Sequence, residues 1–187
     1  MRIFEHVSLP QLQFDLKAET TDSGRLYTTP EGNKYKSITT VLSNYNKQAI
    51  MEWRQSVGEE QANKISRRAA DRGTKVHKIC EDYLKNEIPE LKMQMMMPDL
   101  KELFFKIKPH IDENVGKIYS QEQALYSDKY RIAGRVDLIA EWNGKLSVID
   151  YKTSTKQKEE QDIQNYFMQC TAYALMFAER TGMWIDD

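Results

Sequence analysis

Cysteine is nearly absent: there are two in a chain of 187 residues. That excludes a disulfide framework and leaves too few thiolates for the four that usually hold an iron–sulfur cluster. Cys80 and Cys170 lie in helix-like segments beside apolar neighbours and read as reduced core side chains. Long apolar runs are absent too. Nothing approaches the ~20 residues that span a bilayer, and the oiliest stretch, Met95 to Met97, is a short methionine cluster. The opening residues, Met1-Arg2-Ile3-Phe4-Glu5-His6, lack the apolar segment of a secretion signal, so an intracellular protein is expected. The net charge is only −1 at pH 7, which argues against a generally basic nucleic-acid binder. There is no internal repeat, and no low-complexity tract exceeds residues 93–97. What is present is ordinary: 40% hydrophobic and 29% charged residues, the composition of one globular core with at most a modest appendage.

The charge is unevenly spread. Residues 34–80 hold ten cations (Lys34, Lys36, Lys47, Arg54, Lys64, Arg67, Arg68, Arg72, Lys75, Lys78) against four anions (Glu52, Glu59, Glu60, Asp71), a net of +6, so the rest of the chain carries −7. Such asymmetry can attract a polyanion locally. From charge alone, a solvated helix face is the simpler reading.

Residues 1–22 read as irregular. Residues 25–27 and 34–40 look like short strands around the turn-rich Pro30-Glu31-Gly32-Asn33. Ser43 or Asn44 can cap a helix carrying Ile50, Met51 and Trp53 that ends at Gly58. A helical stretch over 59–70 leads to Asp71-Arg72-Gly73-Thr74. The next helix, through Leu84, has an apolar stripe of Val76, Ile79, Cys80, Tyr83 and Leu84. The methionine-rich stretch ends at Pro98 and reads as a connection between helices, with a mobile flap over a groove as the alternative. A short helix over 99–108 carries Leu100, Leu103, Phe104 and Ile107, and Pro109 closes it.

After Gly116 the character changes. Residues 117–127 and 130–142 read as strands joined by a turn at Ser127-Asp128-Lys129. Asn143-Gly144 is the strongest hairpin signal, because a type I′ turn needs positive φ at both central residues. Residues 145–152 form the third strand, rich in β-formers at Val148, Ile149 and Tyr151. Residues 157–180 read as a long helix burying Ile163, Tyr166, Phe167, Cys170, Tyr173, Ala174 and Phe177, with Gly182 as its stop. The order predicts a mixed α/β (α+β) layer, helices packed on a small sheet.

The candidate chemistry gathers on the Asn143-Gly144 hairpin. Asp150 follows apolar Val148 and Ile149 in a strand that reads as buried, and a buried carboxylate needs a partner. Alternation puts Asp150 and Lys152 on one face. With Asp137 alongside, two carboxylates and one ammonium converge, a set that suits a divalent cation. The simpler alternative is a buried Asp–Lys ion pair with Asp137 at a strand end. His77 and Glu81 lie four apart, on one face of their helix, and Gln169 and Tyr173 repeat that spacing on the last helix.

These residues resemble a known family. Arg72-Gly73-Thr74-x-x-His77, Gly134-x-x-Asp137, Asp150-x-Lys152-Thr153 and Gln169-x-x-x-Tyr173 occur in the order of the RecB-like branch of the PD-(D/E)XK nucleases. The sequence looks closest to the mitochondrial genome maintenance exonuclease group and its phage relatives. Ser37-Ile38-Thr39-Thr40 also resembles a segment near the start of those proteins. The likeness covers roughly residues 34–182.

The resemblance implies a restriction-endonuclease-like core, a small mixed sheet flanked by helices with an N-terminal helical extension. A single nuclease domain over 1–187 is expected, with residues 1–116 carrying His77 and residues 117–187 forming the catalytic sheet and final helix. His77, Asp137 and Asp150 would ligate Mg²⁺ or Mn²⁺, with the carbonyl of Tyr151 as a further ligand. Lys152 would orient or help deprotonate the attacking water. Gln169 and Tyr173 would line the site near the DNA backbone, Arg72 would join the DNA contacts, and Glu81 would stand behind the ligands or meet a second ion. Ser37, Thr39 and Thr40 offer hydroxyls for phosphate oxygens. Tyr35, Tyr45 and Trp53 could stack on bases, although for Trp53 packing is the simpler reading. The fold usually continues with a strand after the long helix. The sequence reaches Trp184-Ile185-Asp186-Asp187 where that strand would only be starting, so the last core strand is expected to be missing.

The expected function is a metal-dependent DNA exonuclease acting on single-stranded DNA in replication, recombination or repair. The alternatives are a catalytically silent DNA-binding module of the same fold and a nuclease acting on RNA. No iron–sulfur cluster is expected. Compactness and the lack of a transit peptide point to a bacterial cytoplasm or a phage-infected host.

Overall fold

The computed structural model describes residues 2–88, 93, 95–155 and 159–185, with backbone alone at 161 and 162. Its centre is a six-stranded mixed sheet. The long strands β4 (Val115–Ser127) and β5 (Ile132–Trp142) pair antiparallel, and β6 (Lys145–Ile149) returns along β5. Asn143 and Gly144 turn that last hairpin at φ of 52° and 80°, as a type I′ turn requires. On the N-terminal side, β1 (Lys17–Thr21), β2 (Gly24–Thr28) and β3 (Lys34–Ser37) form an antiparallel meander. It joins β5 through a short parallel pairing of Lys36 and Ser37 with Ile132 and Ala133. β1 has no apolar alternation to announce it, since all five of its residues are exposed.

Helices cover both faces. On one, α3 (Glu59–Leu84) and α4 (Pro98–Asn114) bury Val76, Cys80, Tyr83, Leu84, Phe104 and Ile111 against Ile118, Leu138 and Ala140. On the other, α1 (Ile38–Ser43) and α5 (Gln164–Thr181) pack Ile38, Leu42, Tyr173, Met176 and Phe177 on Leu125, Val136 and Ile139. A further helix, α2 (Lys47–Val57), buries no residue. Among the described residues no helix is long and apolar enough to cross a membrane.

Several boundaries differ from the sequence reading, each for a local reason. The expected strand over 34–40 stops at Ser37. Ser37 Oγ accepts from Thr40 N at 3.0 Å and starts α1, so a cap outweighs the β preference of Ile38-Thr39-Thr40-Val41. α2 begins at Lys47 after Asn46, and neither Ser43 nor Asn44 caps it. Helices expected over 59–70 and through Leu84 are one continuous α3. A lone glycine costs a helix only about 1 kcal/mol, too little for Gly73 to break one docked over its last three turns. The helix expected to close at Pro109 continues to Asn114 with Pro109 inside it. The turns beyond are held by fully buried Ile111 and by Tyr83, whose hydroxyl donates to Asp112 Oδ1 at 2.5 Å.

The turn after β4 is longer than expected, and β5 starts at Ile132. β6 ends at Ile149, which leaves Asp150 just past the strand rather than within it. The start expected for the last helix, residue 157, lies outside the described residues, and a 3₁₀ turn (Glu160–Ile163) precedes α5. Its buried stripe is rotated from the expected one and runs through Gln169, Ala172, Tyr173, Met176 and Phe177, while Phe167 is 58% exposed. Gly182 caps it in the left-handed conformation at φ 75°. No strand follows α5 among the described residues, and Asp186 and Asp187 lie outside them.

Candidate active site

One edge of β5 carries β4 along its whole length. The other edge is shared: β3 takes Ile132 and Ala133, and β6 takes residues 138–142. Residues 134–137 lie between them with no strand partner on that edge. The inside–outside alternation also slips here, since Val136 packs on the α5 side and Leu138, two residues on, packs on the α3 side. Directly across the ladder, between the pairs Gln121↔Leu138 and Gln123↔Val136, stands Glu122 with φ +49°. An irregularity of this kind re-aims side chains, and Asp137 and Glu122 both turn into a groove of about 490 Å³ under α3.

His77, on α3, reaches this point. Its Nδ1 lies 3.4 Å from Asp137 Oδ1 and its Nε2 lies 2.7 Å from the carbonyl oxygen of Tyr151. Tyr151 N in turn donates to Asp137 Oδ2 at 2.8 Å. His77, Asp137 and Tyr151 therefore close a ring of polar contacts. Asp137 is buried, and Tyr151 sits edge-on to the imidazole with centroids 5.7 Å apart.

Asp150, just past β6, is nearly as deep. Lys152 Nζ forms an ion pair with its Oδ2, and Gln169 Nε2 donates to its Oδ1 at 3.1 Å. The same amide group donates to the Tyr173 hydroxyl at 3.1 Å, so the two residues read from α5 are one connected pair. Lys152 also lies over the Tyr166 ring, 5.3 Å from its centroid. Gly134 makes this packing possible: a Cβ there would stand 2.7 Å from Tyr173 Cε1 and 3.1 Å from Ile38 Cγ2. Any side chain would push Tyr173 off the strand.

Crowded acids shift one another. Burial, then the nearby Asp137 charge, raises the pKa of Asp150 against the opposing pull of Lys152 and His77. Burial, then Asp137 and Glu81, raises that of Glu122. His77 is raised mainly by its hydrogen bond with Asp137, against desolvation. Burial pushes the thiols up, Cys80 to about 12 and Cys170 to about 11, so neither is a nucleophile near neutral pH.

The other expected residues are placed differently. Glu81 lines the groove, but its carboxylate is held by Lys78 at 3.2 Å and by Lys85; burial would raise it, yet these ammonium groups leave it lowered. Ser37 is 1% exposed, and its hydroxyl serves the α1 cap with Thr39 and Thr40. Thr40 Oγ1 accepts from Arg25 N at 3.0 Å. Tyr35 is buried and donates to Asp128 at 2.8 Å, which takes it away from any base, whereas Tyr45 is exposed. Trp53 is half-buried on α2, and Arg72 is half-buried one residue before the groove wall at Gly73.

Glu122 was not legible in the sequence. One acid in a strand of mixed polarity carries no motif, and its left-handed backbone leaves no signature in a non-glycine residue. Yet one ligand atom each from His77, Glu122 and Asp137 lie within 4.8 Å of one another. With the Tyr151 carbonyl, the donors here are imidazole nitrogen and oxygens. Oxygen suits Mg²⁺ and imidazole suits Mn²⁺, so these residues fit a divalent cation.

Comparison with known proteins points to a nuclease superfamily. Residues 99–184 match the PD-(D/E)XK nuclease superfamily, a span that contains Glu122, Asp137, Asp150, Lys152, Gln169 and Tyr173 but not His77. Human mitochondrial genome maintenance exonuclease 1 is 28% identical over 134 residues, which cover 67% of this chain and 38% of that protein. The chain thus spans well under half the length of the relative it matches.

Proposed function

We propose that this chain, a member of the PD-(D/E)XK nuclease superfamily, is a metal-dependent deoxyribonuclease. We read it as an exonuclease that hydrolyses phosphodiester bonds from single-stranded ends in phage or bacterial DNA replication, recombination or repair. The observation that carries the reading is the His77–Asp137 pair, tied through the Tyr151 peptide to the chain between Asp150 and its partner Lys152, beside a stretch of the central strand with no strand partner on one edge. A purely structural Asp–Lys pair would not need an imidazole and a second buried acid beside it.

Phosphodiester hydrolysis needs a hydroxide near neutral pH and charge neutralisation on the phosphoryl oxygens. A divalent cation held by His77, Asp137, Asp150 and the Tyr151 carbonyl supplies both when bound. The chain's own groups do the rest. Lys152 is a compact point charge, and from Asp150 it would orient the water and balance charge that develops on the phosphate. Gln169 keeps Asp150 aimed by holding its other oxygen. Tyr151 spends its N–H on Asp137 and its carbonyl on His77, so the backbone sets the spacing of these two side chains. Arg25, on the groove wall, and Arg72, the chain neighbour of Gly73 on that wall, would meet the flanking phosphates.

The test is hydrolysis of end-labelled DNA in Mn²⁺, Mg²⁺, Ca²⁺ and chelator, with Asp150→Ala and Lys152→Ala as controls. Metal-dependent cutting that both substitutions abolish supports the reading. DNA that shifts on a gel but stays intact in Mn²⁺ would make the chain a binding module instead, and faster cutting of a matched RNA would overturn the substrate class.

A further inference from the structure

Glu122 stands unexplained by the site as described so far. It lies on β4, directly across the ladder from Asp137, while Asp150 follows β6 on the opposite edge of the same strand. Asp137 is therefore flanked by a carboxylate on each side, and the two flanking acids are treated differently. Asp150 is met by a cation, Lys152, and by an amide donor, Gln169. The carboxylate of Glu122, half-buried, has no hydrogen bond or ion pair among the described residues. Arg135, a guanidinium in the same groove, donates to the Glu122 backbone carbonyl and pairs with Asp15 at 3.1 Å instead.

A half-buried carboxylate beside a second one is unfavourable unless positive charge sits between them. Here the backbone takes up an uncommon left-handed conformation in mid-strand to put it there. The third member of the group is an imidazole, which makes the set a mixed nitrogen and oxygen donor cluster.

We propose that Glu122 is a metal ligand: with His77 and Asp137 it forms a divalent-cation position on the β4 side of Asp137, in addition to the position on the Asp150 side. Asp137 would be common to the two, whereas His77, whose Nε2 is turned to the Tyr151 carbonyl, has only Nδ1 to give and would serve the Glu122 position when both are filled. A pair of ions bridged by a common carboxylate is a known device for stabilising both the attacking and the leaving oxygen of a phosphoryl transfer. The Glu122 position would serve the oxygen that the Lys152 side does not reach. This inference rests on the metal-dependent reading above, and Mn²⁺ is the cation that the imidazole favours.

The experiment uses the full chain in chelator-treated buffer. Mn²⁺ binding is followed by calorimetry and by the loss of free-Mn²⁺ electron spin resonance signal, and melting temperature is measured with and without the ion. Wild type is compared with Glu122→Gln, Glu122→Asp and Asp137→Asn. Two sites are expected for wild type. Glu122→Gln should lose one, or bind it at least about tenfold more weakly, and gain less from Mn²⁺ in melting temperature. In chelator it should melt at or above wild type, because a charge next to Asp137 and Glu81 is gone. Glu122→Asp, which keeps the charge on a shorter arm, should fall between them and guards against a folding defect. If both Glu122 variants bind Mn²⁺ like wild type while Asp137→Asn is impaired, Glu122 is not a ligand and only this inference falls. If wild type binds no Mn²⁺ by either measurement, the metal-dependent reading falls with it.

Discussion

The peptide of Tyr151 ties Asp137 to His77: its N–H donates to Asp137 Oδ2 at 2.8 Å and its carbonyl oxygen meets His77 Nε2 at 2.7 Å. Backbone groups between two side chains set a spacing that rotamer changes cannot easily alter. The residue that follows Asp150 thus sets the spacing of groups from a helix and a strand far away in sequence, and its aromatic ring, buried in the core, anchors that peptide.

Lys152→Ala should lower the rate of DNA cleavage by about 10²–10³-fold, the usual cost of removing one group that stabilises transition-state charge. Asp150→Ala should be at least as severe, because it removes a proposed ligand as well as the partner of Lys152. Circular dichroism should show both variants folded. Cleavage within tenfold of wild type by Lys152→Ala would rule out its role at the water.

Gly134→Ala should destabilise the fold by about 1–3 kcal/mol, the range for forcing atoms into a filled core. The added Cβ meets Tyr173 Cε1 at 2.7 Å, and moving that ring pulls on the Gln169 amide that holds Asp150. Urea denaturation measures the first effect. A drop in activity of the remaining folded protein measures the second, and a variant as stable as wild type would show that the contact relaxes freely.

Ser37→Ala should cost about 1 kcal/mol through loss of the α1 cap, read as a lower denaturation midpoint. Its hydroxyl is occupied by Thr40 N and buried, so DNA affinity should stay close to that of wild type. Unchanged stability with weakened DNA binding would instead assign Ser37 to the phosphates.

Metal-free protein should lose stability as pH rises from the carboxylate range through neutrality. Asp150, Glu122 and His77 are all raised above their ordinary values of 3.8, 4.5 and 6.5, so the native state binds more protons than the unfolded chain across this window. For His77 the contribution is complete below 6.5 and disappears as pH climbs through its higher folded value. The two carboxylates act in the same direction at lower pH. Glu59, Glu81 and Glu102 are lowered and act in the opposite sense, but only below 4.5. Mn²⁺ must displace the same protons, so its stabilising effect should grow from pH 5 to pH 8. Melting curves with and without Mn²⁺ across that range test both trends, and a metal effect independent of pH would contradict them.

If the chain needs a free end, circular single-stranded DNA should survive conditions that degrade the linear form. Rapid cutting of circles would make it an endonuclease.

What the sequence determined alone is whatever depends on neighbours along the chain. Asn143-Gly144 dictates a tight turn by its φ values, the Val76 to Leu84 stripe dictates which face of α3 is buried, Gly182 stops the last helix, and Asp150-x-Lys152 brings an acid and its counter-charge together within three residues. Tertiary structure decided what depends on competition or on distant partners. Ser37 became a cap because its hydroxyl outbid a weak β preference, and Pro109 stayed inside a helix because the turns beyond it dock on Tyr83. Phe167 lost its place in the core because α5 turned Gln169 toward Asp150. Glu122 belongs to the same class: 45 residues separate it from His77 in the sequence, and only the pairing of β4 with β5 beneath α3 sets its carboxylate beside the imidazole. Local order follows from torsional and capping preferences of a few residues, whereas the composition of a charged site follows from which strands lie side by side.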